Sequence, residues 1–193
     1  MKLYCATSNP GKLREFSLAG GPEWEIVPLK GVPSCQETGA TFEENAAGKA
    51  IHYSRHAPGL LFAEDSGLEV DALRGAPGVR SARFAGEGAS DADNNRLLIE
   101  KLRGVSDRSA RYVSEIALAE AGRLLRTFRG QVDGRIVDEP RGTHGFGYDP
   151  HFFYPPFGLT FAEAPPEQKW QVSHRGRAVK LMLDWLTSAS RPS

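Results

Sequence analysis

Two short apolar runs do most to limit what this chain can become. Leu3–Ala6 and Leu60–Ala63 are too short for buried helices and suit buried strands. Each breaks off into a polar cluster, Thr7-Ser8-Asn9-Pro10-Gly11-Lys12 after the first and Glu64-Asp65-Ser66-Gly67 after the second. Two helical starts stand between them. Asn9 is a good N-cap and Pro10 suits the first helical position, with Leu13, Phe16 and Leu18 supplying an apolar side. Thr41 and Glu44 form a capping box, ahead of Phe42, Ala46, Ala50 and Ile51 on one face of a helix predicted to reach about His56. Strands alternating with helices give the α/β class.

The rest of the chain extends this pattern. Gly20-Gly21 is expected to stop the first helix, and Trp24–Leu29 reads as a second strand. Ser66-Gly67 predicts a sharp turn before another short strand, Leu68-Glu69-Val70. Arg74–Gly88 is rich in glycine and arginine and reads as a long functional loop. Ser90 and Asp93 open a helix carrying Leu97, Leu98 and Leu102. Ala110–Glu120 and Leu124–Val132 alternate around Ala121-Gly122-Arg123 and predict an antiparallel hairpin. A second glycine loop, Arg141–Pro150, precedes a short aromatic strand, His151–Tyr154. The last helix begins near Arg175, with Val179, Met182, Leu183 and Leu186 at helical spacing, and Ser188–Ser193 is a polar tail expected to fray. Hairpins added to βα units predict a mixed sheet.

Composition narrows the function. At 193 residues, 40% hydrophobic, the chain can bury one sizeable core, and residues 1–193 are read as one domain. Lys+Arg and Asp+Glu are 24 each, so the basic surplus of a duplex-binding protein is missing and no nucleic-acid partner is expected. Cys5 and Cys35 make neither a metal spacing nor a disulfide framework. No run reaches the roughly 20 apolar residues of a membrane span, and the N-terminal apolar run is too short for a signal-peptide core. The expectation is a cytoplasmic protein with no membrane partner.

Several stretches carry possible chemistry. A strand–turn–helix junction directs helix N–H groups and, here, Lys12 toward an anion. Thr7, Ser8 and Asn9 add short donors, and Gly11 permits close backbone approach. The same residues also suit a capped helix with a solvent lysine, and the Walker pattern is absent. Glu64 and Asp65 follow a buried strand, where ligands bind in open α/β sheets. They offer oxygen ligands for Mg²⁺, or are solvated acids in a turn. Glu37 lies just before the helix that carries Lys49. Gly145-Phe146-Gly147-Tyr148-Asp149 offers an aromatic ring to stack on a base and an acid to accept from ring N–H groups. His174-Arg175 offers a donor for a carbonyl or phosphate oxygen. Together these describe a nucleoside triphosphate site.

Five motifs, TSNPGK, ETGATFEENAAGKA, EDSGLEVDALRGAPGVRSARFAG, GFGYDP and SHRGRA, run in this order from Thr7 to Ala178. They resemble those of the noncanonical purine NTP pyrophosphatases, also called the inosine/xanthosine triphosphate pyrophosphatases. The resemblance implies an elongated α/β fold in which a long central mixed β-sheet carries two lobes flanking a nucleotide-binding cleft. It implies hydrolysis of ITP, dITP and XTP to the monophosphate and pyrophosphate with Mg²⁺, which removes deaminated purines from the nucleotide pool. It also implies a homodimer.

Carried over by position, Thr7, Ser8, Asn9, Pro10, Gly11 and Lys12 would hold the triphosphate. Asp65 would be the catalytic base and a metal ligand, with Ser66 touching the substrate. Lys49 and Arg83 would lie near the phosphates. Phe146, Gly147, Tyr148 and Asp149 would hold the base, Phe146 by stacking. Lys169 matches the lysine that precedes the His-Arg pair, and His174 and Arg175 would read the purine 6-oxo group. Three positions depart from the family pattern. Gln36 stands where several relatives carry a metal-binding acid, so either Glu37 turns in as the second ligand or water fills the place. Glu64 replaces a frequent Asp, and His144 a frequent glycine. The His174-Arg175 pair and GFGYDP separate the chain from the Maf-type pyrophosphatases, and Asp65 beside Ser66 separates it from a sensor that binds without turnover.

Overall fold

The computed structural model of the chain describes residues 1–19 and 23–189. The expected helix stop at Gly20-Gly21 and the end of the polar tail, residues 190–193, lie outside them. Seven strands are described: β1 (Lys2–Ala6), β2 (Glu25–Pro28), β3 (Leu61–Val70), β4 (Ser109–Glu120), β5 (Arg123–Ile136), β6 (Phe152–Tyr154) and β7 (Leu159–Thr160). The five α-helices are α1 (Pro10–Phe16), α2 (Phe42–Ser54), α3 (Asp91–Lys101), α4 (Pro166–Val172) and α5 (His174–Ala189). The strands form one mixed sheet in the order β2-β1-β3-β4-β5-β6-β7. Its β1 pairs are parallel, to β2 and β3, and its β5–β6 and β6–β7 pairs are antiparallel. The α/β class and the mixed sheet are as the sequence predicts.

The capping signals hold. Asn9 Oδ1 accepts from Gly11 N and Lys12 N at 2.8 and 3.2 Å. Thr41–Glu44 and Ser90–Asp93 both close as capping boxes; an N-cap of this kind contributes about 1 kcal/mol. Ala121 and Gly122 both take positive φ, 49° and 81°, the backbone of a tight type I′ hairpin between β4 and β5.

Two expectations about local structure give way. Ser66-Gly67 makes no sharp turn: β3 continues unbroken from Leu61 to Val70. Turn propensity is a local preference, and the ladder of a central strand between β1 and β4 overrides it. Glu64 and Asp65 are therefore mid-strand residues. The register of β1, however, ends at Ala6 opposite Ala63, so the two acids lie just beyond the covered stretch of that edge. The second difference is α4, started by Pro165-Pro166, which the sequence reading passed over.

The chain forms two compact units, whose boundaries fall inside β3, β4 and β5 and between α4 and α5. The first comprises Met1–Asp65, Ser114–Gly130 and His174–Ser193, and the second Ser66–Val113 and Gln131–Ser173. In the first, Ala46 and Ala50 of α2 pack on Ala6, Leu61, Ala63, Ala117 and Ala119. Small side chains on both sides let this helix lie close to the sheet. The second is built on larger groups, among them Leu68, Leu98, Leu102, Tyr112, Phe152 and Phe161, with Phe152 and Phe161 at a ring separation of 4.9 Å.

Candidate active site

In the first unit the acids of β3 meet the cations of α1, α2 and α5. The buried face of α2 carries Phe42, Asn45, Ala46, Lys49, Ala50 and Ser54, so Asn45 and Lys49 interrupt its apolar stripe ahead of Ser54. Both reach Asp65: Asn45 Nδ2 donates to Oδ2 at 3.1 Å and Lys49 Nζ to Oδ1 at 3.1 Å. Lys49 Nζ also donates to Glu37 Oε1 at 3.0 Å. Asn45 is itself fixed, its Oδ1 accepting from Gly39 N at 2.8 Å. A Cβ on Gly39 would sit 2.7 Å from that oxygen, which accounts for glycine there.

Glu64, 3% exposed, anchors the second half of this cluster. Lys12 Nζ lies 2.6 Å from its Oε2. Arg175 Nε and Ser114 Oγ donate to its Oε1 at 3.1 and 2.9 Å. Arg175 Nη1 also pairs with Glu15 of α1. Four carboxylates, Glu15, Glu37, Glu64 and Asp65, thus face three cations, Lys12, Lys49 and Arg175.

Burial and the neighbouring charges set the electrostatics of this cluster. Burial pushes the Asp65 carboxyl above its ordinary value; Lys49 and Lys12 pull it down, and Glu37 and Glu64 add to the rise. Burial works against the charge of Lys49, but Asp65 and Glu37 outweigh it, and its ammonium is held above the usual lysine value. Burial thus accounts for the rise of the acid, and the neighbouring acids for the rise of the base.

The donor set fits the implied Mg²⁺. Asp65 and Glu37 already point oxygens at a single cation, Lys49 Nζ. Mg²⁺ uses one or two carboxylates and completes its shell with water and substrate phosphates. Among the described residues no group of three or more His, Cys, Asp or Glu is placed to hold a metal ion, so two carboxylates are what this cluster offers.

The TSNPGK turn is partly self-satisfied. Asn9 caps Gly11 N and Lys12 N, and Thr7 Oγ1 accepts from Asn9 N at 3.2 Å. Ser8, Asn9 and Pro10 are exposed, Thr7 is half-buried and Gly11 is buried. Lys12 is the part of the turn that reaches the acids. His174 and Arg175, both buried, open α5 against Gly130 of β5. A Cβ on Gly130 would overlap His174 O and sit 2.6 Å from Ala178 N.

The second unit gathers the GFGYDP residues with Lys169. Asp149 Oδ2 accepts from Phe146 N at 2.9 Å and from Lys169 Nζ at 2.5 Å. The ammonium lies 5.5 Å from the centre of the Phe146 ring. A Cβ on Gly145 would overlap Asp149 Oδ2, so the first glycine of the motif is needed for this acid to turn back on its own loop. Tyr148 Oη donates to Ser81 O at 2.8 Å, and burial raises its phenol. Ser66 is half-buried in β3. Arg83 closes a 3₁₀ turn, Gly78–Arg83, and pairs with Glu87 at 3.4 Å.

A profile of the Ham1 family matches residues 3–185 of the chain. The chain belongs to the Ham1 family. It is 47% identical to the dITP/XTP pyrophosphatase of Acidobacterium capsulatum, over 95% of this chain and 97% of that one. It is 48% identical to the dITP/XTP pyrophosphatase of Bordetella pertussis, over 96% and 91%. Among solved structures it is similar to a HAM1 protein from Coxiella burnetii, with a TM-score of 0.87, 39% identity and coverage of 97% and 99%. The Staphylococcus aureus Ham1 protein gives a TM-score of 0.87 at 38% identity, covering 98% of this chain and 100% of that one.

Set against this Ham1 chain, the sequence reading missed Asn45, Ser114 and Glu15, and gave Glu64 no partner. Asn45 had a visible signal. It stands three residues after Phe42 and four before Lys49, on the apolar stripe of α2, where a polar residue needs a buried partner. Glu15 and Ser114 had none, because their partners lie 160 and 50 residues away.

Proposed function

We propose that the chain hydrolyses deaminated purine nucleoside triphosphates, ITP, dITP and XTP, to the monophosphate and pyrophosphate, and so clears them from the nucleotide pool. The observation that carries this reading is the fixed Asp65. Asn45 and Lys49 hold one oxygen each, and Lys49 also holds Glu37. Membership of the Ham1 family and the names of its relatives support the reaction class.

Lys12 neutralises charge on the bound triphosphate and on the leaving pyrophosphate. Asp65 accepts a proton from the attacking water, which Asn45 and Lys49 make possible by fixing its orientation. Lys49 holds the base and Glu37 in register and balances part of their charge. Mg²⁺, held by Asp65 and Glu37, would supply Lewis-acid neutralisation of the phosphates. Thr7, Ser8, Asn9, Pro10 and Gly11 complete the triphosphate-binding turn, and Ser66 and Arg83 supply further contacts to the substrate.

Phe146 stacks on the purine, with Gly147 and Tyr148 shaping the loop and Asp149, braced by Lys169, accepting from ring N–H groups. His174 and Arg175 donate to the 6-oxo oxygen; Glu64 and Glu15 fix the plane of the Arg175 guanidinium. Adenine would set its amino group against that donor. A buried unpaired donor costs about 1–3 kcal/mol, roughly 5–150-fold per mismatch.

No helix among the described residues is long and apolar enough to cross a membrane. A cytoplasmic location, expected from the composition, and a homodimer, which rests on the resemblance, belong to the same proposal; light scattering on the purified protein tests the dimer. A panel of NTPs with Mg²⁺, with products identified, tests the reaction. Pyrophosphate and monophosphate from ITP and XTP, with little from ATP, is the expected result. Diphosphate plus phosphate, or no turnover, overturns it.

A further inference from the structure

Helix α3 grips two loops of the second unit by their backbones, using adjacent residues. Asn94, buried, accepts from Ala85 N through Oδ1 at 2.8 Å and donates through Nδ2 to Ala82 O at 3.2 Å. It thereby brackets Arg83. Asn95 Nδ2 donates to Gly147 O at 2.9 Å, and Asp91 Oδ2, one helical turn earlier, accepts from Gly147 N at 2.7 Å. Both polar groups of Gly147 are held by residues at i and i+4 of one helix. Its φ of +62° is a conformation glycine adopts without strain.

This clamp meets the aromatic loop at a decisive place. Phe146 N is fixed from within the loop by Asp149, and Gly147 from outside by α3. The chain on both sides of the Phe146 Cα is thus tied, and Asp149 is tied with it. Asn94 has no contact of this kind with the aromatic loop, and Asn95 has none with the Arg83 turn, among the hydrogen bonds described.

We propose that Asn94 and Asn95 are positioning residues for two different parts of the substrate: Asn94 sets the Arg83 turn for the phosphates, and Asn95, with Asp91, sets Phe146 and Asp149 for the purine. The proposal rests on the pyrophosphatase reading and deepens it, because it assigns base selection partly to a helix that touches no base. A rigid helix carrying both clamps keeps the spacing of the two loops constant, and orientation of this kind governs rate and selectivity more steeply than contact alone.

Asn95→Asp is the sharpest variant. It keeps the shape of the side chain and replaces the donor to Gly147 O with an acceptor, so two acceptors face each other. Asn95→Ala removes the donor without adding repulsion. Asn94→Ala is the comparison. The measurements are kcat/KM for ITP and for ATP, and competitive inhibition by inorganic tripolyphosphate, which has no base, with thermal unfolding run in parallel. Both Asn95 variants are expected to lower the ITP-to-ATP ratio by about 10-fold or more and to leave tripolyphosphate inhibition unchanged. Asn94→Ala is expected to weaken tripolyphosphate inhibition and to lower ITP and ATP turnover in parallel. If the Asn95 variants lose both substrates in parallel, keep the wild-type ratio, or fail to fold, the assignment is wrong. Wild-type protein that releases no pyrophosphate from ITP would instead overturn the pyrophosphatase reading itself, so the two failures are distinct.

Discussion

Lys12 Nζ lies 2.6 Å from Glu64 Oε2, so the first lysine after β1 closes an ion pair with a carboxylate 52 positions later, inside the first unit. The pair ties the TSNPGK turn to the central strand. Under the proposed function Lys12 would have two tasks, to neutralise a buried acid and to meet a phosphate.

Lys12→Ala should therefore weaken binding of a non-hydrolysable triphosphate analogue and also lower stability. Read from the sequence, Lys12 would be removable without structural cost; its partner says otherwise. Glu64 keeps Arg175 and Ser114, so the loss is that of one charged hydrogen bond, about 1–3 kcal/mol. Calorimetric titration and denaturant unfolding measure the two effects. Unchanged affinity would make Lys12 a structural counter-ion alone.

Asp65→Asn should leave the fold intact and nearly abolish turnover. The change is close to isosteric, and Lys49 retains Glu37. Loss of the base alone costs about 10²–10⁴-fold. Steady-state pyrophosphate release measures it, and activity above a tenth of wild type would pass the role to another acid.

Much of this was legible in the sequence because it is local. The caps at Asn9, Thr41 and Ser90 depend on residues within a turn of each other, and the apolar runs of β1 and β3 announce themselves. The course of β3 beyond Ala63 did not, since Ser66-Gly67 carries a turn signal that only the pairing of a central strand overrides. The partners of Glu64 and Arg175 were also hidden. Arg175 pairs with Glu15 from α1 and Glu64 from β3, contacts that exist only once strand order has brought both ends of the chain together.

The two thiols should separate cleanly. Cys5 is buried in β1, and burial, then the charge of Glu64, pushes its thiol far above the ordinary range. Cys35 is partly exposed, its sulfur near Gln36 O and Gly48 O. An aromatic disulfide reagent at neutral pH should titrate one thiol in the native protein and two after denaturation, with Cys35→Ser abolishing the native reaction. Two fast thiols in the native state would contradict the packing of β1.

Glu115 gives a pH test. It is buried in β4 with Arg129 Nη1 at 2.9 Å, and burial raises its carboxyl; Arg129 works against the rise and Glu43 adds to it. A carboxyl raised in the folded state stabilises the fold below its unfolded value, near 4.5, and that contribution fades as pH climbs through the folded value. Glu115→Gln, which keeps an acceptor for Arg129, should thus be the more stable protein at pH 7, by less than about 1 kcal/mol since Arg129 is half exposed. The difference should close as pH falls below 4. A gap that widens toward acid would reverse the sign.

Arg175 is where base selection is most exposed to test. Arg175 is 2% exposed and its guanidinium is braced by two carboxylates, a fixed donor rather than a mobile one. If it donates to the purine 6-oxygen, Arg175→Ala should cost ITP far more than ATP, because ATP gains nothing from that donor. The ratio of kcat/KM values should fall by about 10-fold or more, the worth of a charged hydrogen bond being roughly 1.5–3 kcal/mol. Removing the guanidinium also leaves Glu64 to Lys12 and Ser114, so unfolding must be measured beside the kinetics, and Arg175→Lys, which keeps the charge but not the planar fork, separates the roles. If lysine restores stability but not selectivity, the fork reads the base. If Arg175→Ala lowers both substrates in parallel and lysine restores both, Arg175 serves the phosphates through its charge, and the choice of base must be made elsewhere, by the Phe146–Asp149 loop.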